Sequence, residues 1–461
     1  MTSRSKELLF LLPAMLLTTI GFAIVFVRQA EAFELSSLAP GAAFLGLFGL
    51  LHVARRLVVP AADPYLLPIT ALLSSLGILM IYRADPRLAA QQAVWLVVGS
   101  VAFVIVLVGL RRFERLREYK YLIGLGGIAL LVLTMVAGRE VYGARLWIRV
   151  GPVGFQPPEF AKLFLVVFFA AYLDQVREML TVSTRRFLGV ALPPLRHLGP
   201  LITVWGLSLA LMIFLKDLGT SLLFFGTLLA LIYVATARFF YVVVGTGLFA
   251  AGASVLYQIF PHVQLRVGIW LDPWQDPLGG GYQIVQSLFA FAAGGLFGRG
   301  LGEGYLHLAS GSTIIPALET DFIFSAIGEE LGLVGAVAIV LLYLVFVQRG
   351  LRVALRSHDD FARLLATGLT AVFGLQAFLI LGGVTKLIPL TGITLPFVSY
   401  GGSSIVSNFC LLALLLVVSE RAAGGDGRGS GGPAGAGAGT RVGSGAGARA
   451  GLTVDGRAES V

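Results

Sequence analysis

Long apolar runs separated by short polar clusters dominate the chain. Crossing a bilayer takes about 20 mostly apolar residues. Runs of that kind are read at 8–27, 36–54, 65–82, 92–110, 121–137, 160–174, 198–215, 218–236, 240–260, 323–347, 362–383 and 402–420. The pattern predicts an all-α polytopic membrane protein with about twelve transmembrane helices. The runs are continuous and do not alternate, which argues against a β-barrel. The break at Lys216-Asp217 predicts a tight hairpin between neighbouring spans. The first run, after Arg4 and Lys6, is too long for a cleaved signal peptide and lacks a small-residue cleavage site. A long segment, 261–322, precedes the tenth span.

Composition strengthens this picture. Hydrophobic residues are 57% and charged ones 13%, and mean hydropathy is +0.88; soluble domains carry roughly 25% charge. The single cysteine, Cys410, excludes a disulfide scaffold. The net charge of +9 reads as basic loops on one membrane face and not as a nucleic-acid footprint. With the N-terminus in the cytoplasm, about 23 of the 34 Lys and Arg residues fall on the cytoplasmic side and about 10 opposite, Lys162 being within a span. Both termini are therefore expected inside, and 138–159, 261–322 and 384–401 outside. From 421 onward the chain is Gly-, Ala- and Arg-rich and predicts a disordered cytoplasmic tail.

Charges at membrane depth are costly and mark candidate sites. Arg145 and Arg149 flank Trp147, and Gln156-Pro-Pro-Glu-Phe-Ala-Lys162 follows. The prolines suit a helix start, and Glu159 and Lys162 are spaced to pair on one face. They read either as a structural ion pair or as a cation aimed at a phosphate. Asp217 reads as an N-cap. The outer loop carries Trp270, two Asp-Pro steps and a glycine-rich stretch at 294–302, then Asp321, Ser325, Glu329 and Glu330. The stretch lacks the strand of a nucleotide fingerprint; it reads as phosphate-facing backbone or as amphipathic segments on the membrane. Asp321, Ser325 and Glu329 share a face if the helix begins at Asp321, and Asp321 itself can be a cap or a functional acid. Lys386 is the one cation of the last outer loop, and such a lysine is often a snorkelling anchor. His52, His197, His262, His307 and His358 are scattered, with no metal-ligand spacing, Ser/His/Asp set or P-loop. Acids and cations around one outer face suit a lipid-linked anionic substrate and acid/base chemistry on a hydroxyl.

The ordered strings Gln156-Pro-Pro-Glu-Phe-Ala-Lys162, Asp217-Leu-Gly-Thr-Ser221, Gly281-Tyr-Gln-Ile-Val-Gln-Ser287, Thr320-Asp-Phe-Ile-Phe324, Glu329-Glu-Leu-Gly332 and Pro396-Phe-Val-Ser-Tyr-Gly-Gly-Ser-Ser404 resemble the shape, elongation, division and sporulation family, its rod-shape branch more than its division branch. The resemblance covers about 63–420, a ten-span core, and leaves 1–62 as an extension with two spans. It implies a peptidoglycan glycosyltransferase that polymerises lipid II outside the cytoplasmic membrane, alongside a class B penicillin-binding transpeptidase. The family's catalytic aspartate corresponds to Asp321, and its motif acid and lysine to Glu159 and Lys162. Arg145, Arg149, Lys162 and Lys386 become candidates to neutralise the departing pyrophosphate. Asp217, Ser325, Glu329 and Glu330 become supporting residues. Asp321 acts as general base directly or by ordering a divalent cation such as magnesium or manganese, though no metal site is evident in the residues. A lipid II flippase and a non-catalytic scaffold for the transpeptidase are the alternatives.

Overall fold

The computed structural model describes residues 3–30, 39–141, 144–151, 153–181, 185–187, 190–192, 195–308 and 312–426. The tail expected from 421 thus lies mostly outside the described residues. Before the first outer segment run α1 (Ser3–Ala30), α2 (Ala39–Val58), α3 (Leu66–Ala84), α4 (Pro86–Gly109) and α5 (Lys120–Ala137). Then come α6 (Pro157–Thr181), α7 (Leu195–Phe214), α8 (Leu218–Thr236) and α9 (Phe239–Ile259). The chain continues through α10 (Pro261–Leu271), α11 (Tyr282–Gly294), α12 (Ile323–Arg356), α13 (Asp360–Val384) and α14 (Gly402–Asp426).

Ten helices among the described residues are long and apolar enough to cross a membrane, so the chain is a multi-pass membrane protein. The other two expected spans coincide with α6, which carries Glu159, Lys162, Asp174 and Arg177, and with α7, whose described apolar part, Gly199–Phe214, is short. Three of the described α-helices start at a capping aspartate. Asp85 accepts from the Arg87 and Leu88 amides ahead of Pro86, Asp217 from Thr220 and Asp359 from Ala362. Helices α3, α13 and α14 are mostly buried, whereas α9 buries no residue and lies at the periphery. Gly77 lets α3 approach the backbone of Phe397 and Val398 so closely that a β-carbon would collide with it.

The segments between helices differ from the all-α expectation. Residues 138–159 contain an antiparallel meander of β1 (Arg139–Val141), β2 (Ala144–Val150) and β3 (Val153–Phe155), with Ile148 opposite Phe155. The alternation Arg145-Leu-Trp-Ile-Arg149 suits a half-exposed strand, and Gly151 makes the turn at a φ of 62°. A second hairpin joins β4 (Arg185–Phe187) and β5 (Val190–Leu192). The segment 261–322 is not structureless: it holds α10, a 3-10 turn at Pro273–Gln275, and α11.

Helix α12 is longer than the expected 323–347 and breaks at Gly332, whose φ is 66°. The glycine-rich stretch repairs that break. The Arg299 and Gly300 amides donate to the Glu329 and Glu330 carbonyls, and the Leu333 and Val334 amides donate to Gly295 and Leu296. These are the groups a continuous helix would have paired with each other. Gly294, Gly298 and Gly332 permit the contact, because a β-carbon at any of them would strike the opposing backbone. The amides of Arg299 and Gly300 are therefore committed to α12 and do not face a phosphate.

Candidate active site

Asp321 lies in the turn before α12, two residues ahead of Ile323. The one-face arrangement with Ser325 and Glu329 therefore does not form. Phe322 occupies the N-cap position and no side chain caps the helix there, so Asp321 does not serve as its cap. Its backbone is tied from two sides. The Asp321 amide donates to Ala317 at 3.1 Å, and the Tyr400 amide to the Glu319 carbonyl at 2.8 Å. The Ser399 hydroxyl donates to the Thr320 carbonyl and accepts from the Leu395 amide. The Pro396–Ser404 string thus fixes the segment that carries the acid.

The Asp321 carboxylate is half-buried and faces Arg266 of α10. A β-carbon built on Gly392 would lie 3.7 Å from Asp321 Oδ2 and 3.9 Å from Arg266 Nη2, so the two groups border one open notch. Arg266 Nη1 is anchored on the carbonyls of Leu390 and Thr391, at 3.0 and 3.2 Å. Burial pushes the Asp321 pKa up from 3.8 to about 6; Thr320's hydrogen bond and Arg266 pull it down, and Glu319 raises it. Asp217 is also influenced by Arg266. Burial raises its pKa, while its bonds to Thr220 and the nearby guanidinium oppose the rise.

Beside the notch is a cavity of about 200 Å³ lined by Arg266, Lys386, Gln283 and Trp270. Lys386 has a φ of 61°, and its carbonyl accepts from the Trp270 indole at 3.2 Å. Two cations therefore line one hollow next to a carboxylate. Arg145 and Arg149 sit exposed on β2, with no hydrogen bond or ion pair to Asp321 among the described residues.

Glu159 and Lys162 form the core of a buried network. The Lys162 ammonium, 2% exposed, donates to Glu159 at 2.6 Å and to Gln376 Oε1 at 2.8 Å. Ser407 donates to Glu159, and Gln376 donates to the Thr394 carbonyl. Thr394 and Ser404 hydroxyls meet at 2.7 Å. The network joins α6, α13 and α14 to the segment that carries Ser399. It gives Lys162 two protein partners and little access to an outside phosphate.

Ser325 bonds to Ser287, which also donates to Val384. Glu329 accepts from the Tyr305 amide and lies 3.7 Å from Arg299. Glu330 pairs with Arg83 at 3.1 Å and accepts from the Gly302 amide. These three fasten the outer loop to the bundle and stand apart from the notch. Among the described residues, no group of three or more His, Cys, Asp or Glu is gathered to hold a metal. Sequence reasoning missed Arg266 and Gln376. Gln376 carried a readable signal, a polar side chain inside an apolar run; Arg266 carried only its charge.

The model of the cell cycle protein family, named for FtsW, RodA and SpoVE, matches residues 64–423. The peptidoglycan glycosyltransferase RodA of Mycobacterium tuberculosis is 46% identical over 435 residues, 91% of each chain. A solved structure concerning the coordination of polymerization and crosslinking by a peptidoglycan synthase complex is 30% identical, with a TM-score of 0.62 over 78% of this chain and 98% of that one. The Thermus thermophilus rod shape determining protein RodA is 28% identical, with a TM-score of 0.53 over 78% and 97%.

Proposed function

Because the chain belongs to the cell cycle protein family of FtsW, RodA and SpoVE, we infer that it is a peptidoglycan glycosyltransferase of the cell membrane, serving cell-wall synthesis and cell shape. Its substrate is lipid II, polymerised at the extracytoplasmic face. The charge bias of the loops supports that orientation, with both termini in the cytoplasm. Counting α6 and α7 gives twelve spans: ten in the core and α1 and α2 ahead of it. A class B penicillin-binding transpeptidase is the proposed partner. The similarity to a chain from a complex that couples polymerization and crosslinking supports this.

The observation that carries the reading is the Asp321 carboxylate: it caps no helix, has a pKa of about 6 and faces Arg266 across the notch at Gly392. At neutral pH it is mostly ionised and can accept a proton, near the optimum for a general base. Asp321 takes the proton of the acceptor sugar's 4-hydroxyl. That oxygen bonds to the donor's anomeric carbon as the bond from this carbon to the pyrophosphate oxygen breaks. Arg266 and Lys386 neutralise the departing polyprenyl pyrophosphate. The Glu159–Lys162–Gln376 network holds the Thr394–Ser404 segment that in turn fixes Thr320. Asp321 would be the residue to hold a divalent cation, which would supply charge stabilisation to the departing pyrophosphate.

The test is polymerisation of lipid II in detergent by the purified chain, wild type against Asp321→Asn. Glycan strands from the wild type and their loss in the variant are expected. Absence of strands from well-folded wild type, alone and with a class B transpeptidase, would favour a flippase or a scaffold, neither of which makes glycan there.

A further inference from the structure

A second hollow lies far from Asp321. It has a volume of about 360 Å³ and is bordered by Asp63, Tyr65, Arg349, Arg352, Arg356 and Ser419. Helix α12 separates the two places: Ile323 to Arg349 spans roughly 40 Å of helix at about 1.5 Å per residue. The hollow therefore sits at the opposite end of the bundle, between the segment entering α3, the last turns of α12 and the end of α14.

Its charge is unbalanced. Arg349, Arg352 and Arg356 recur at a spacing that puts them on one face of α12. Arg349 is held by Asp63, both its Nε and Nη2 donating to Oδ2, and stacks over the Tyr65 ring at 4.3 Å. Asp63 is itself fixed, its amide donating to Ser419. Arg352 and Arg356 are exposed and have no acidic partner among the described residues. Glu420 stands alongside and accepts from the Ala61 amide at 2.6 Å; even counting it, the wall keeps a surplus of positive charge. The carbonyl end of α12 adds no attraction for an anion, so the guanidiniums must supply it.

We propose that this hollow is a binding site for the phosphodiester headgroup of an anionic phospholipid. Paired guanidiniums match phosphate oxygens, and basic pockets between transmembrane helices at the membrane surface are suited to anionic headgroups. The volume lies within the range of about 300–1,000 Å³ of small-ligand pockets. Tyr65 belongs at that level, since tyrosine is enriched at membrane–water interfaces. The site stands on its own residues; only its assignment to the inner leaflet rests on the orientation proposed above.

The test titrates the purified full chain with phosphatidylglycerol and with phosphatidylcholine of the same acyl chains. Binding is followed by native mass spectrometry and by the shift in thermal midpoint. The wild type is expected to prefer phosphatidylglycerol. Arg352→Gln/Arg356→Gln is expected to bind it roughly 10- to 30-fold more weakly, with an unchanged midpoint in phosphatidylcholine. Equal binding of the two lipids by the wild type, or an undiminished preference in the double variant, overturns the site. Millimolar inorganic phosphate is the second arm. If it raises the midpoint as much as phosphatidylglycerol and the lipid adds nothing, the hollow takes a free phosphate and the lipid assignment falls. Glycan synthesis enters neither readout, so this result and that of the polymerisation assay can fail separately.

Discussion

The carboxylate of Asp321 and the guanidinium of Arg266 border the bare face of Gly392, 3.7 and 3.9 Å from where a β-carbon would stand. Arg266 lowers the pKa that burial has raised. It therefore keeps the proposed base ionised, and it also borders the hollow proposed for the pyrophosphate.

Replacing Asp321 by Asn should lower lipid II polymerisation roughly 10²- to 10⁴-fold. Stability should not fall with it. A raised folded-state pKa means that the carboxylate costs the folded chain nothing below about pH 4. It destabilises increasingly as pH rises from about 4 to about 6, and the cost then stays constant. The amide removes that cost, so the thermal midpoint at pH 7 should be equal or slightly higher. Wild-type activity should decline below about pH 6 as Asp321 takes up a proton. Near-normal polymerisation by the Asn variant would remove Asp321 from the mechanism.

Arg266→Gln takes away a charge that opposes the rise in the Asp321 pKa. The acid limb of the pH–rate profile should move to higher pH, with a further loss at the optimum from the missing phosphate partner. Arg266→Lys should restore part of the pH profile and less of the rate, since an ammonium lacks the bidentate fork. An unshifted limb in Arg266→Gln would show that the guanidinium does not act on Asp321.

Lys162→Met leaves Glu159 short of its cation inside the bundle. Breaking a buried pair costs about 3–5 kcal/mol, so the thermal midpoint should drop sharply. Lys162→Met combined with Glu159→Gln should recover much of that loss, because no uncompensated charge remains. Full stability in Lys162→Met together with weakened lipid II binding would identify Lys162 as a substrate contact and not as a structural member of the network.

Orientation is checked with Ser312→Cys in a Cys410→Ala background. A membrane-impermeant thiol reagent should label it in intact cells. Labelling only after lysis would reverse the assigned sides.

Ten of the described helices were legible because each is an apolar run of spanning length, and the role proposed for Asp321 rests on the distinctive string around it. What escaped was set by partners distant in sequence. Arg266 gains its meaning from Leu390, Thr391 and Asp321, which the sequence alone cannot bring together. The grouping of Asp321 with Ser325 and Glu329 failed because the helix starts at Ile323, so spacing along a helix did not apply. Residues 138–159 read as loop because β1 and β3 are only three residues long, and the alternation of β2 between them stands alone. The purpose of the 294–302 glycines was hidden for a related reason. Their partner is the backbone of another helix, and a sequence displays side chains only.

The repair at Gly332 also limits how the outer end of α12 can move. Four amides hold the 295–300 segment to the broken helix in a fixed register. Two of the four lie on each side of Gly332, so the segment splints the break: a slide by a single residue would sever all four, and a tilt about Gly332 would sever one pair or the other. The turns of α12 on both sides of the break and the glycine segment must then travel as one rigid plate. Asp321, just ahead of that plate, is therefore displaced only with the whole of α12's outer half and not by bending at Gly332.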